Sequence, residues 1–143
     1  MQAISLPGTG ATIAEVYASA FSDLDRKTPF DALPQAVLIA VGWHGFMRVK
    51  WDPSTPAGQT ICLSMQYDGE TLNQESFQLT KTAGKVDELF YIDLPYKHAS
   101  IKTMGDHVLN MKYYLKKTAQ IIRPKDWQAV QIPYKIVPPA VQD

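Results

Sequence analysis

FYIDLPYKHASIKTMGDHVLNMKYYL, residues 90–115, reads as a strand, a corner and a second strand. Phe90, Ile92 and Leu94 alternate with Tyr91 and Asp93, the period of a strand with one buried face. Pro95 has no N–H to give a ladder and ends that run. Gly105 and Asp106 then turn the chain into a second run rich in aromatic and aliphatic residues. About ten residues separate the runs, too many for a two-residue hairpin and suited to a connection between packed sheets. The stretch predicts an all-β protein in two layers.

Downstream, residues 116–126 read as a polar hairpin end interrupted by Ile121 and Ile122, and Trp127 to Val137 as a final strand. That strand carries Val130, Ile132, Tyr134 and Ile136 on one face, and Pro133 assigns it to an edge or a bulge. Upstream, Ile61, Leu63, Met65 and Tyr67 alternate with Thr60, Cys62, Ser64 and Gln66, the cleanest amphipathic strand in the chain. Asp68-Gly69 marks a turn into a more polar strand over 71–80. Ala36 to Trp43 is a continuous apolar run, read as a central strand buried on both faces. Gly42 and Gly45 predict a bulge or bend there, and Phe46 to Trp51 alternates again up to the turn residues 52–58.

Nearer the start, residues 2–10 form an extended arm or edge strand around Ile4 and Leu6. Thr12 to Phe21 is the one candidate helix. Thr12 and Glu15 have capping-box spacing, and Ile13, Val16, Tyr17 and Ala20 share a helical face. A strand-like or irregular segment is the alternative, because ten residues make a marginal helix. Ser22 to Pro34 has turn chemistry and reads as a surface loop. The whole is divided as an N-terminal arm and loop (1–35) packed on the same domain, a β-sandwich (36–138) and a frayed tail (139–143).

Three stretches together resemble the immunoglobulin-like tandem-repeat domains of large bacterial surface proteins. Ala57-Gly58-Gln59-Thr60-Ile61 through Tyr67-Asp68-Gly69 is similar to that family's A-G-D-x-I and aromatic-D-G. Asp93-Leu94-Pro95-Tyr96-Lys97-His98-Ala99 resembles its apolar-Pro-Tyr segment, and Gly105-Asp106-His107-Val108 leading to Tyr113 its G-x-x-V strand. The run from Gly105 to Tyr113 is one residue long for the pattern, which predicts a bulge. Trp127 stands where a small or hydroxyl residue is usual. The resemblance covers roughly residues 37–137 as a single unit. It implies an immunoglobulin-like antiparallel β-sandwich of about seven or eight strands and a non-catalytic role, and it brings no site residues.

Composition narrows the function classes. A chain of 143 residues buries a real core without disulfides or a structural metal. With 14 basic and 14 acidic residues the formal charge is zero, so no global field draws in nucleic acid or an anionic membrane, although a local patch can. Cys62 is the only cysteine, which excludes an intrachain disulfide. No signal peptide is visible at the start, and the longest apolar run (36–41) is far short of the ~20 residues of a membrane span. Localisation stays open, with a cell-surface or extracellular site requiring a non-cleaved route.

No catalytic or metal-binding residue is expected, and no cofactor. His44, His98 and His107 lack a partner at ligand spacing and read as surface or turn histidines. Asp23 with Asp25, and Asp87 with Glu88, read as solvated carboxylates beside Lys and Arg. Gly8-Thr9-Gly10 lacks the Lys and the context of a phosphate loop, and Cys62 inside a strand reads as a structural thiol. The aromatic residues are the candidate binding set: Trp43, Trp51 and Trp127, which lie at or beside turns, and Tyr114 from a tyrosine cluster, with one tryptophan assigned to the core. Adjacent Tyr113 and Tyr114 must point to opposite faces of a strand. The expected function is a non-enzymatic interaction module for a protein, a glycan or copies of itself, hence a homo-oligomer. The alternative is a small secreted or phage-associated effector, a toxin or virion decoration protein, on the same scaffold.

Overall fold

The computed structural model describes residues 2–20, 23–39, 42–67, 74–94, 104–119 and 121–138. In chain order its strands are β1 (Ile4–Leu6), β2 (Ala11–Ala20), β3 (Asp23–Pro29), β4 (Leu33–Pro34), β5 (Trp43–Trp51), β6 (Thr60–Tyr67), β7 (Gln74–Thr80), β8 (Asp87–Ile92), β9 (Gly105–Leu115) and β10 (Gln128–Val137). They form two sheets. The first runs β1-β2-β5-β8, with β3 also pairing β2; the second runs β4-β10-β9-β6-β7. Every pairing is antiparallel except the short β4–β10 bridge. Side chains from both sheets enter one hydrophobic core. The protein is all-β in two layers, as the sequence predicts.

The two strands of the opening stretch fold as read. β8 belongs to the first sheet and β9 to the second, so the connection does cross between layers. Ile92 and Leu94 are buried while Tyr91 is 63% exposed. In β9 the residues His107, Leu109, Met111 and Tyr113 face the core. Ile61, Leu63, Met65 and Tyr67 of β6 pack from the same sheet, as do Ile132, Tyr134 and Ile136 of β10. Each fully buried Leu or Ile stabilises by roughly 1.5–3 kcal/mol relative to an exposed one. β10 pairs β9 without a break from Gln128 to Ile136, and among the described residues its one other strand partner is β4, at Ile136 and Val137. Pro133 therefore lies in the part of β10 that has a single strand partner, β9, where a residue without an N–H is tolerated.

Five expectations are corrected. Thr12 to Phe21 is not a helix; residues 11–20 are β2. A register shift between Ile13 and Glu15 leaves Ala14 as an extra residue. Ile13 and Val16, three apart, consequently both reach the core, followed by Ala18 and Ala20. A β-bulge has mimicked helical spacing. Ala36 to Trp43 is not a central strand: Gln35–Ile39 is a 3-10 helix that buries Leu38 and leaves Ala36 exposed. A short apolar run carries no period to separate the two.

Within the predicted loop over 22–34, Asp23–Pro29 is β3 at the edge of β2, and Phe30–Ala32 is a 3-10 turn. Phe30 and Leu33 are buried, so this segment helps close the core. Finally, β9 shows no register shift against β10 or β6, and Gly45 lies in continuous register with Ala18 and Ile92. The bulges are elsewhere, in β2 and between Leu63 and Met65. Asp68-Gly69, Pro95, the 96–103 corner and the 139–143 tail lie outside the described residues, as do Ser22 and the start of the 71–80 strand.

β1, β2 and β3 belong to the first sheet and β4 to the second, with β2 an interior strand between β1 or β3 and β5. The β1–β2 turn, Pro7-Gly8-Thr9-Gly10, uses Gly10 at φ 77, and a Cβ there would meet Thr55 Oγ1 at 2.3 Å. Thr9 is buried, its hydroxyl donating to Leu6 O (2.6 Å) and accepting from Ala11 N (3.1 Å). Ten strand segments are present among the described residues, more than the seven or eight expected, because β2 was read first as a helix and β3 and β4 as part of a loop.

Candidate functional site

Strand alternation gives each sheet an outward face, and the two faces differ chemically. On the first sheet, Glu15, Tyr17, Phe46, Arg48, Asp87 and Tyr91 point outward. Arg48 Nε lies 3.0 Å from Asp87 Oδ1 and Arg48 Nη1 3.7 Å from Glu15 Oε2, while Lys27 Nζ lies 3.5 Å from Glu15 Oε1. That carboxylate oxygen is shielded from solvent and has no partner of hydrogen-bond geometry. Tyr17 and Phe46 stack at 5.4 Å, Phe46 meets Tyr91 at 5.2 Å, and Lys27 stands 5.0 Å over the Tyr17 ring. Each charge here has a partner of opposite sign or an aromatic face, a self-satisfied ladder worth about 0–1 kcal/mol per exposed pair.

On the second sheet the outward row is Thr60, Cys62, Ser64 and Gln66 on β6, beside Asn110, Lys112 and Tyr114 on β9. Asn110 Oδ1 accepts from Gln131 Nε2 on β10 (3.2 Å), and the Thr60 and Thr80 hydroxyls are 3.0 Å apart. Cys62 is directly opposite Tyr114 and is buried. Hydrogen bonding with the Cys62 thiol, then burial, pushes the Tyr114 phenol above its ordinary pKa. Trp127 follows a 3-10 turn over Pro124–Asp126, closed by Arg123 N donating to Asp126 Oδ2 (2.9 Å). The turn delivers the indole to Tyr114 with ring centroids 4.6 Å apart and planes at 86°. Beside them, Ser64, Lys112, Pro124, Trp127 and Ala129 line a depression of ≈ 400 Å³.

The four predicted aromatic residues therefore part company. Tyr114 and Trp127 meet on one face. Trp51 is 3% exposed and is the core tryptophan; its Nε1 donates to Glu88 Oε2 at 2.8 Å. Trp43 is half-buried against the core. Tyr113 and Tyr114 do point to opposite faces: the Tyr113 hydroxyl lies inside, 3.0 Å from Gln128 Oε1 and 3.3 Å from Pro7 O.

Of the histidines, His44 is exposed and His98 lies outside the described residues. His107 corrects the surface reading, being buried and stacked on Tyr134 at 5.1 Å. Glu88 is not a freely solvated carboxylate either, since it accepts from Trp51 Nε1 and Thr82 N. Among the described residues no three His, Cys, Asp or Glu side chains gather as metal ligands, and no helix is long and apolar enough to cross a membrane.

Sequence reasoning missed Ser64, Lys112, Pro124 and Ala129 as neighbours of the aromatic pair. The outward side of β6 was legible from alternation, but its approach to the turn before β10 depends on β9 lying between them. Compared with known protein families, curated proteins and solved structures, the chain matches none.

Proposed function

We propose that this protein is a non-enzymatic binding module on an immunoglobulin-like sandwich, acting through the outward face of β6, β9 and β10. The observation that carries the reading is the Tyr114–Trp127 pair beside an open depression. Aromatic rings held on a rigid sheet offer contact area at little entropic cost, the feature that distinguishes binding hot spots. The strand order supports the fold assignment: β10-β9-β6-β7 faces β2-β5-β8, and the first strands are shared between layers through the parallel β4–β10 bridge. The fold differs from antibody-type domains in having a lone cysteine and no tryptophan on β6.

The partner is a glycan, a protein or a second copy of the chain. Glycan and protein arrays, together with sedimentation over a wide concentration range, test the module reading. The wild-type protein is expected to register in at least one of them, and Trp127→Ala to lose that signal at an unchanged melting temperature. A wild-type protein inert in all of them, or a variant that binds as well, overturns the reading.

A further inference from the structure

Around the Tyr114–Trp127 pair the charge is one-sided. Lys112 lines the depression, Lys116 follows β9, and Arg123 and Lys125 belong to the turn that carries Trp127. Asp126 is the one described carboxylate in these segments, and it is 3.5 Å from Arg123 Nε. The chain as a whole is neutral, so four cations against one carboxylate in these segments is a local concentration. It contrasts with the opposite face, where Glu15, Arg48, Asp87 and Lys27 neutralise one another. A cationic rim with an aromatic corner and a hydroxyl, Ser64, suits a ligand with an apolar ring face, hydrogen-bonding edges and negative charge.

We propose that the Tyr114–Trp127 depression binds an acidic oligosaccharide, one bearing uronate or sulfate groups. This deepens the module reading and rests on it. A pyranose ring stacks its C–H face on the indole, Ser64 bonds a sugar hydroxyl, and Lys112 and Lys116 neutralise the acid groups. Single-stranded nucleic acid also combines anionic charge with flat rings, but successive bases stack on separate, exposed ring faces. Here the two rings meet edge to face at 86°, so the Tyr114 and Trp127 rings form a corner for one ring, not two steps of a stacking ladder.

The test is calorimetric titration of the whole protein with four probes: a sulfated hexasaccharide, a galacturonate hexasaccharide, a neutral β-1,4-glucan hexasaccharide and a twelve-nucleotide oligo-dT. Binding of one or both acidic saccharides is expected, weakening steeply with salt. Trp127→Ala should weaken it by about tenfold and Lys112→Gln by roughly threefold, as loss of a ring contact and of one charge contact predict. Lys112 is exposed, so its variant keeps the test open if Trp127→Ala fails to fold.

Equal affinity for the neutral saccharide, stronger binding of oligo-dT, or no saccharide binding at all overturns the proposal. So does binding that neither variant weakens. The module reading is judged separately: if no saccharide binds but the wild-type protein self-associates and Trp127→Ala does not, the module reading stands and only its ligand has been misassigned.

Discussion

At the residue scale, Glu88 shows how a side chain on a partly polar edge strand becomes structural. Burial works to raise its pKa. Hydrogen bonds from Thr82 and from Trp51 Nε1, with the nearby Lys85 cation, outweigh that and hold it below the ordinary value of 4.5. A carboxyl depressed on folding contributes stability that is fully present above its unfolded pKa and is lost as pH falls through its folded pKa. The wild-type protein should therefore lose stability as the pH drops below 4.5, and Glu88→Gln should flatten that part of the profile. Urea midpoints at neutral pH and below pH 4.5 check this, and parallel profiles for the two proteins would show that Glu88 carries no such linkage. The Tyr67 hydroxyl is a second such tie. It donates to Asp93 O and so links β6 to the end of β8 across the core; burial, with Tyr134 and Asp93 nearby, raises its pKa well above the usual phenol. Neither tie was legible in the sequence, because residues 26 and 37 apart in the chain share no local pattern.

At the element scale, the readable strands were those with an unbroken period of two: β5 from Phe46 onward, β6, β8, β9 and β10. Segments whose period was interrupted or never present were misread. β2 carries a bulge at Ala14, so its core residues fall at three-residue and then two-residue spacing. β3 needs no apolar stripe because it only borders β2. Gly45 was read as a bend, but it permits close approach. A Cβ there would lie 2.7 Å from Ile92 O and 2.6 Å from Ile92 Cγ1, distances that backbone cannot relieve cheaply. Gly45→Ala should force β5 and β8 apart and destabilise the protein by about 1–3 kcal/mol, the usual cost of overpacking. Chemical denaturation measures it, and an unchanged midpoint would mean that the strands do not approach so closely.

At the scale of the whole molecule, the chain passes between sheets repeatedly, and Leu6, Phe30, Leu63, Met111 and Ile136 end in one core. Neither sheet can keep its inner face dry without the other. Unfolding should therefore be a single transition, with equal calorimetric and van't Hoff enthalpies and a heat-capacity change of about 2 kcal/mol/K. Two resolved transitions in calorimetry would show that the layers are separable. By itself the sequence determined the class of structure, the inward and outward sides of the alternating strands, and the opposed directions of Tyr113 and Tyr114, since all of these follow from a local period. Only the tertiary structure decided that Gln35–Ile39 coils, that β3 joins β2, and that Trp51 goes inside while Trp127 reaches Tyr114. Those outcomes depend on which distant segments become neighbours, and a two-residue alternation says which way a side chain faces without saying what it will meet.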